Sequence, residues 1–207
     1  MAFLGEKAIN DLIDNSKLVH PILSNKQVAG TKIDLRIDNI FYLIGRIAIN
    51  AYDPKELHKK KFAPQYLEKH VVAYGTPFVL HPGELVLAAT FESLRIPRNL
   101  VGILDGRSSL GRLGVLVHIT AASVDPGFTG PLIAELLNVG RMPVDLYPLM
   151  RIGALTLATI EGNTSEYKGK YVGLRNVADP SSALYKDEEW DSITAYFSER
   201  SGSSSSA

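Results

Sequence analysis

A chain of 207 residues that is 45% hydrophobic can bury one good core, so a single domain is expected over residues 1–197, followed by a tail at 198–207. Its 22 basic and 22 acidic residues cancel, which removes the global field that gathers nucleic acid polymers, and any phosphate must be met by a local cluster. With no cysteine, and with five histidines (His20, His58, His70, His81, His118) in neither HxxxH nor HxH spacing, a zinc enzyme is not expected.

In chain order, Gly5 to Asn15 places Ala8, Ile9, Leu12 and Ile13 at helical spacing, which predicts one amphipathic helix with Asn15 as its stop. Short β-rich runs broken by Pro and Gly follow: IDLRI, FYLIGRIAI, HVVAY, PFVLHPGELVLAATFESL, VGILDG, LGVLVHIT, PLIAELLN and RIGALTLATI. Many short strands at close intervals predict a mainly β fold, a sandwich or barrel with the N-terminal helix and a few short helices. From Glu84 to Phe91 the alternation sets Leu85, Leu87, Ala89 and Phe91 on one face, expected to be core. Asp53 to Lys69, with its KELHKKK run, reads as a solvated loop or short helix without function. Asp187 to Phe197 offers a short helix, and SERSGSSSSA from Ser198 onward is flexible by composition. No run approaches the ~20 apolar residues of a membrane span, and Met1 to Asn10 lacks a secretory pattern, so the chain reads as cytoplasmic with no membrane partner.

The densest chemical cluster is Asp105 to Gly114, DGRSSLGRLG. Gly106 allows a tight turn, and Ser108 or Ser109 is placed to cap a helical turn that aims free amides outward. With Arg107 and Arg112 on either side, such a turn suits a polyphosphate; it equally suits a capped turn whose arginines pair with surface carboxylates. Asp125 to Gly130, DPGFTG, is turn chemistry in which Asp125 fixes its own backbone. Glu135 sits inside PLIAELLN, among Leu132, Ile133, Ala134, Leu136 and Leu137. A carboxylate buried there is expected to have a raised pKa, as an acid/base near neutral pH requires; a Glu on an exposed strand face is the other reading. His118, in GVLVHIT within the expected apolar strand Leu113 to Ile119 that DPGFTG follows, reads as a satisfied core histidine.

The order GRSSLGRLG (106–114), HITA (118–121), DPGFTG (125–130) and IAELLN (133–138) resembles the dCTP deaminase family, relatives of the trimeric dUTPases. FVLHPGELVLAAT (78–90), KIDLRI (32–37) and RIGAL (151–155) are also similar to it, and the resemblance covers roughly residues 5–171. It implies a distorted jelly-roll barrel of the dUTPase-like type, assembled as a homotrimer with active sites between subunits. Carried over, Arg107, Ser108, Ser109, Leu110, Gly111 and Arg112 cradle the triphosphate, with Ser108 and Arg112 also catalytic beside the base. Ala121 lends backbone to position the water, Asp125 holds the sugar 3′-hydroxyl, Ile133 and Ala134 offer backbone to the pyrimidine, and Glu135 moves the protons. Magnesium is implied on the triphosphate, with no metal held by protein side chains, and dTTP is a candidate inhibitor beside dCTP and dUTP. A closing C-terminal segment is implied at Tyr167, Lys170 and Tyr171, although Leu174 stands where the family carries Gln and Ser123 where some members carry a bulky or basic residue.

The activity so implied is hydrolysis of dCTP to dUTP and ammonia, without the H-x-E and P-C-x-x-C elements of zinc nucleobase deaminases. A dUTP diphosphatase using Asp125, a bifunctional enzyme yielding dUMP, and a non-catalytic nucleotide-binding regulator remain alternatives; a jelly-roll coat subunit is a further one.

Overall fold

The computed structural model describes residues 2–44 and 67–165. The charged run over 53–66, the helix expected at 187–197 and the tail at 198–207 lie outside the described residues. Helix α1 spans Glu6–Ser16; Gly5 enters it in extended backbone, and Lys17 ends it in the left-handed region at φ 52°. The stop therefore falls two residues past Asn15, where the Lys17 amide donates to the Ile13 carbonyl at 3.0 Å. Ile9 is buried, Leu12 and Ile13 pack half-buried against the same core, and Ala8 faces out.

The β elements are β1 (Val19–His20), β2 (Val28–Ala29), β3 (Lys32–Ile44), β4 (Leu67–Val71), β5 (Phe78–Leu80), β6 (Leu85–Arg95) and β7 (Leu100–Gly106). After the one-turn helix α2 (Ser108–Gly111) come β8 (Val115–Leu116), β9 (Ser123–Val124), β10 (Thr129–Asn138), β11 (Val144–Leu146) and β12 (Arg151–Thr159). The large sheet runs β8-β10-β6-β3-β12-β7-β9, while β5 and β11 pair separately. Its curl comes from β3. IDLRI and FYLI are one strand, whose first half pairs with β12 and whose second half pairs with β4 and β6, with a register slip between Ile37 and Phe41. A bulge bends a strand and raises its twist, so β3 belongs to both walls of a half-closed, mainly β barrel, the fold class expected.

A first core joins α1 to β3, β7 and β12 through Ile9, Ile33, Leu35, Leu104 and Leu155. A second lies under β5, β6, β10 and β11, built on Phe41, Leu80, Val86, Leu136 and Leu146. The face of β6 expected to be core is buried at Leu87 and Ala89, which join Tyr42 in a small core cluster, but the opposite face is core as well: Val86 and Ala88 enter the second core. Every residue from Val86 to Thr90 is buried, so both faces are covered and the alternation carries no direction. The apolar strand expected over Leu113 to Ile119 shrinks to β8, and Leu113, Leu116 and Ile119 are exposed.

β8 and β10 are locked at their ends by Gly114, at φ 88°, whose added Cβ would stand 2.5 Å from the backbone of Gly140. Beside it the fully buried Asn138 ties the Leu80 and Met142 carbonyls and the Gly140 amide at 2.9, 2.9 and 2.8 Å. Gly114→Ala combines a disfavoured φ with a backbone clash and is expected to destabilise by about 2–4 kcal/mol, to be read as a lower midpoint in urea unfolding. A midpoint equal to wild type would contradict the close approach.

Candidate active site

A hollow of about 550 Å³ opens between the first core and the small cluster, walled by Leu87, His118, Ala121, Asp125, Ile133 and Glu135 among others. Strand alternation delivers Glu135. On β10, Leu132, Ala134 and Leu136 point into the cores, and Ile133, Glu135 and Leu137 are half-buried on the other face. Glu135 is thus not sunk in the core as expected; it stands opposite Leu87 of β6 at the wall of the hollow. Pairing of β10 with β8 is confined to Leu137 and Asn138, and beyond it the Ile119 amide donates to Glu135 Oε2 at 3.1 Å. The carboxylate so takes the place of a ladder partner and steers the segment carrying His118 and Ala121. His118 is half-buried at the hollow, which corrects its reading as a core histidine.

Asp125 lies on the hollow's rim and is exposed. As its sequence predicts, it opens a turn: the Phe128 amide donates to the Asp125 carbonyl at 3.1 Å, and Gly127 takes φ 82° after Pro126. Ala121 and Ile133 also reach the hollow, but the Ala134 side chain belongs to the second core.

The 107–112 turn stands elsewhere. None of its residues lines the hollow among the described residues. Leu110 is its anchor, buried in the second core, while Ser108, Ser109, Gly111 and Arg112 are exposed. Arg107, not a serine, is the residue at the helix start, and no side chain caps it. Nor are all the expected amides free: Leu110 and Gly111 both donate to the Arg107 carbonyl, and Arg112 donates to that of Ser108, each at 3.0 Å. The presentable groups are hydroxyls and guanidiniums more than backbone. The pairing alternative also holds for Arg107, whose guanidinium meets Asp34 Oδ1 while Arg151 takes Oδ2 at 2.9 Å.

A further carboxylate escaped sequence reasoning. Glu92, on β6, is the fully buried acid among the described residues. Burial pushes its carboxyl above the usual glutamate range, against the opposing pull of the Arg36 amide, Gln27 and the Arg36 charge. The detectable signal was an acid directly after the alternating stretch that ends at Phe91, on the face opposite to the one read as core. Tyr167, Lys170, Tyr171 and Leu174 lie outside the described residues.

The curled, mainly β chain with few helices defines the class, a half-closed β barrel. A solved 2′-deoxycytidine 5′-triphosphate deaminase from Agrobacterium tumefaciens shares the fold at TM-score 0.61 and 20% identity, over 76% of this chain and 48% of that one; this chain thus spans about half of that chain's length. Residues 3–160 match the dCTP deaminase-like family model, and the chain belongs to that family. It is 39% identical over 191 residues to a dCTP deaminase of Marinomonas sp., covering 91% of this chain and 94% of the relative. It is also 35% identical over 183 residues to a "dCTP deaminase, dUMP-forming" of Methanosphaera stadtmanae, covering 84% and 90% respectively.

Proposed function

We propose that the protein hydrolyses dCTP to dUTP and ammonia, with Glu135 as general acid/base and no metal at the base. The observation that carries this reading is the convergence of Ala121, Asp125, Ile133 and Glu135 on one hollow. In the proposed complex Asp125 holds the sugar 3′-hydroxyl and the backbone at Ile133 and Ala134 meets the pyrimidine edge. A water held near Ala121 and Ser108 adds to C4 as Glu135 takes its proton. That proton passes to N3, the remaining hydroxyl proton moves by way of Glu135 to the exocyclic amine, the C4–N4 bond breaks, and ammonia leaves behind a C4 carbonyl. Fixed donors around the site stabilise the charge that develops on the ring.

Because the 107–112 turn lies away from the hollow, Arg107, Ser108 and Arg112 are assigned to the site of a neighbouring copy, in a homotrimer. Exposed Leu113, Leu116, Val139 and Met142 around the Gly114–Gly140 contact support burial of that region between subunits. Tyr167 and Lys170 are assigned to closure over the phosphates. Magnesium is proposed as an ion carried by the triphosphate and water. When bound it neutralises phosphate charge.

A second reading is favoured by Asp125 lining the same hollow as Glu135 and by the dUMP-forming relative: the same site hydrolyses dUTP onward to dUMP and pyrophosphate. Mass spectrometry of products from dCTP and from dUTP, taken separately, tests both. Deamination alone is expected to give dUTP and ammonia in equal amounts, and dUMP from either substrate would establish the second activity. Bound dCTP with no product after long incubation would refute catalysis and leave a nucleotide-binding regulator.

A further inference from the structure

We infer that Asp34 is a positioning residue for the triphosphate, acting through Arg107; this deepens the reading of the 107–112 turn as the phosphate cradle and rests on it. Asp34 lies in β3, opposite Ala154 of β12, with its side chain 15% exposed. One carboxylate oxygen holds Arg107 and the other holds Arg151. The backbone behind that carboxylate is itself pinned. The Asp34 amide donates to the Gln27 carbonyl at 2.8 Å, and Gln27 Nε2 donates to the Asp34 carbonyl at 3.0 Å and to Glu92 Oε1 at 2.8 Å. Gln27 is 1% exposed, so the path from the buried interior to the Arg107 guanidinium consists of short, directional contacts.

Two guanidiniums on one carboxylate leave one positive charge uncompensated. The adjacent Lys32 and Asp105, 3.7 Å apart, cancel each other. Arg107 is a long side chain that loses much rotamer freedom on binding an anion, and a fixed partner on the protein side removes part of that loss in advance. Arg112 is exposed, and no pairing of its side chain with a carboxylate is found in the described structure. Within the cradle Arg107 is therefore the preorganised cation.

Positioning and bare electrostatics predict opposite signs, which makes the inference testable. Asp34→Asn removes a negative charge next to a proposed anion site; taken alone, that strengthens anion binding. If Asp34 instead holds Arg107 in place, the variant binds more weakly in spite of its added positive charge. Calorimetric titration of the full chain with inorganic triphosphate is expected to show about tenfold weaker binding, the scale of one misplaced charge-assisted hydrogen bond. With dCTP the loss is expected in KM, with kcat held within about twofold. In an Arg107→Gln background, Asp34→Asn is expected to add no further loss.

Unchanged or tighter triphosphate binding by Asp34→Asn, or a second loss of full size in the Arg107→Gln background, would overturn the inference. Should Asp34→Asn fail to fold, Asp34→Glu decides: it keeps the charge and shifts the carboxylate by one methylene, so weaker binding supports positioning and wild-type affinity overturns it. Failure of the deamination reading is distinguishable, since a wild type that binds triphosphate without deaminating dCTP still reports on Asp34. A wild type that does not bind triphosphate refutes the cradle and this inference together.

Discussion

Glu135→Gln is expected to lower kcat for dCTP by about 10²–10⁴-fold, the range that positioned acid–base groups contribute, while KM stays within a few-fold. Glutamine has nearly the same shape, and its amide oxygen can accept the Ile119 N–H that the carboxylate accepts at 3.1 Å, so the 117–121 segment keeps its place. What the amide lacks is a carboxylate oxygen that can take the proton from water and hand it on. A half-buried side chain at the wall of a hollow tolerates such a change, and equal melting temperatures would show that the fold is not the cause. Single-turnover release of ammonia from saturating dCTP measures the chemical step directly. A variant that deaminates at a rate near wild type would remove Glu135 from the mechanism. Under the proposed assembly, the exclusion of water that proton transfer needs comes from the nucleotide and the neighbouring copy, because the carboxylate in one chain is only half-buried.

The strands fall where hydrophobic runs stand between Pro and Gly, and the Asp125 turn follows from Asp-Pro-Gly chemistry, because these are local properties of the chain. The hollow is partly legible for the same reason: Ile133 and Glu135 share a strand face by alternation alone. Direction is not local. Which face of β6 meets the larger core depends on β3 and β10 lying to either side of it, and both faces are covered where Leu87 and Ala89 pack on Tyr42. Partners distant in sequence are equally hidden. Arg107 and Asp34 are 73 residues apart, and Gln27 reaches Glu92 across 65, so neither pairing leaves a spacing signal. Strands as short as β1, β2 and β9 exist because longer neighbours offer an edge to them, which two-residue segments cannot announce. The functional resemblance, carried by ordered motifs, named Ala121, Asp125, Ile133 and Glu135 of the hollow and implied sites between subunits, but not which of its residues stand outside the hollow of a single chain.

Glu92→Leu is expected to destabilise the fold by about 3–5 kcal/mol, the cost of breaking a buried charged network by removing one member. The carboxylate accepts the Arg36 amide and Gln27 Nε2, each at 2.8 Å, and is fully buried. Leucine fills the volume but leaves those donors dry and unpaired, and removes the counter-charge from Arg36, whose Nε already lacks a hydrogen-bond partner. Because burial raises the Glu92 pKa, the native state holds the proton more tightly than the unfolded chain does. Between the ordinary glutamate value and the raised native value, folding therefore takes up a proton, and this group's contribution to stability declines as pH rises through that window. Below the window the carboxyl is neutral in both states and the contribution is constant. Glu92→Gln cannot titrate, so its stability is expected to gain on wild type as pH rises through the window, whatever its offset at acid pH. Urea unfolding of both proteins across that window measures the difference; curves that stay parallel, or wild type gaining instead, would show that the buried carboxyl does not titrate in this way.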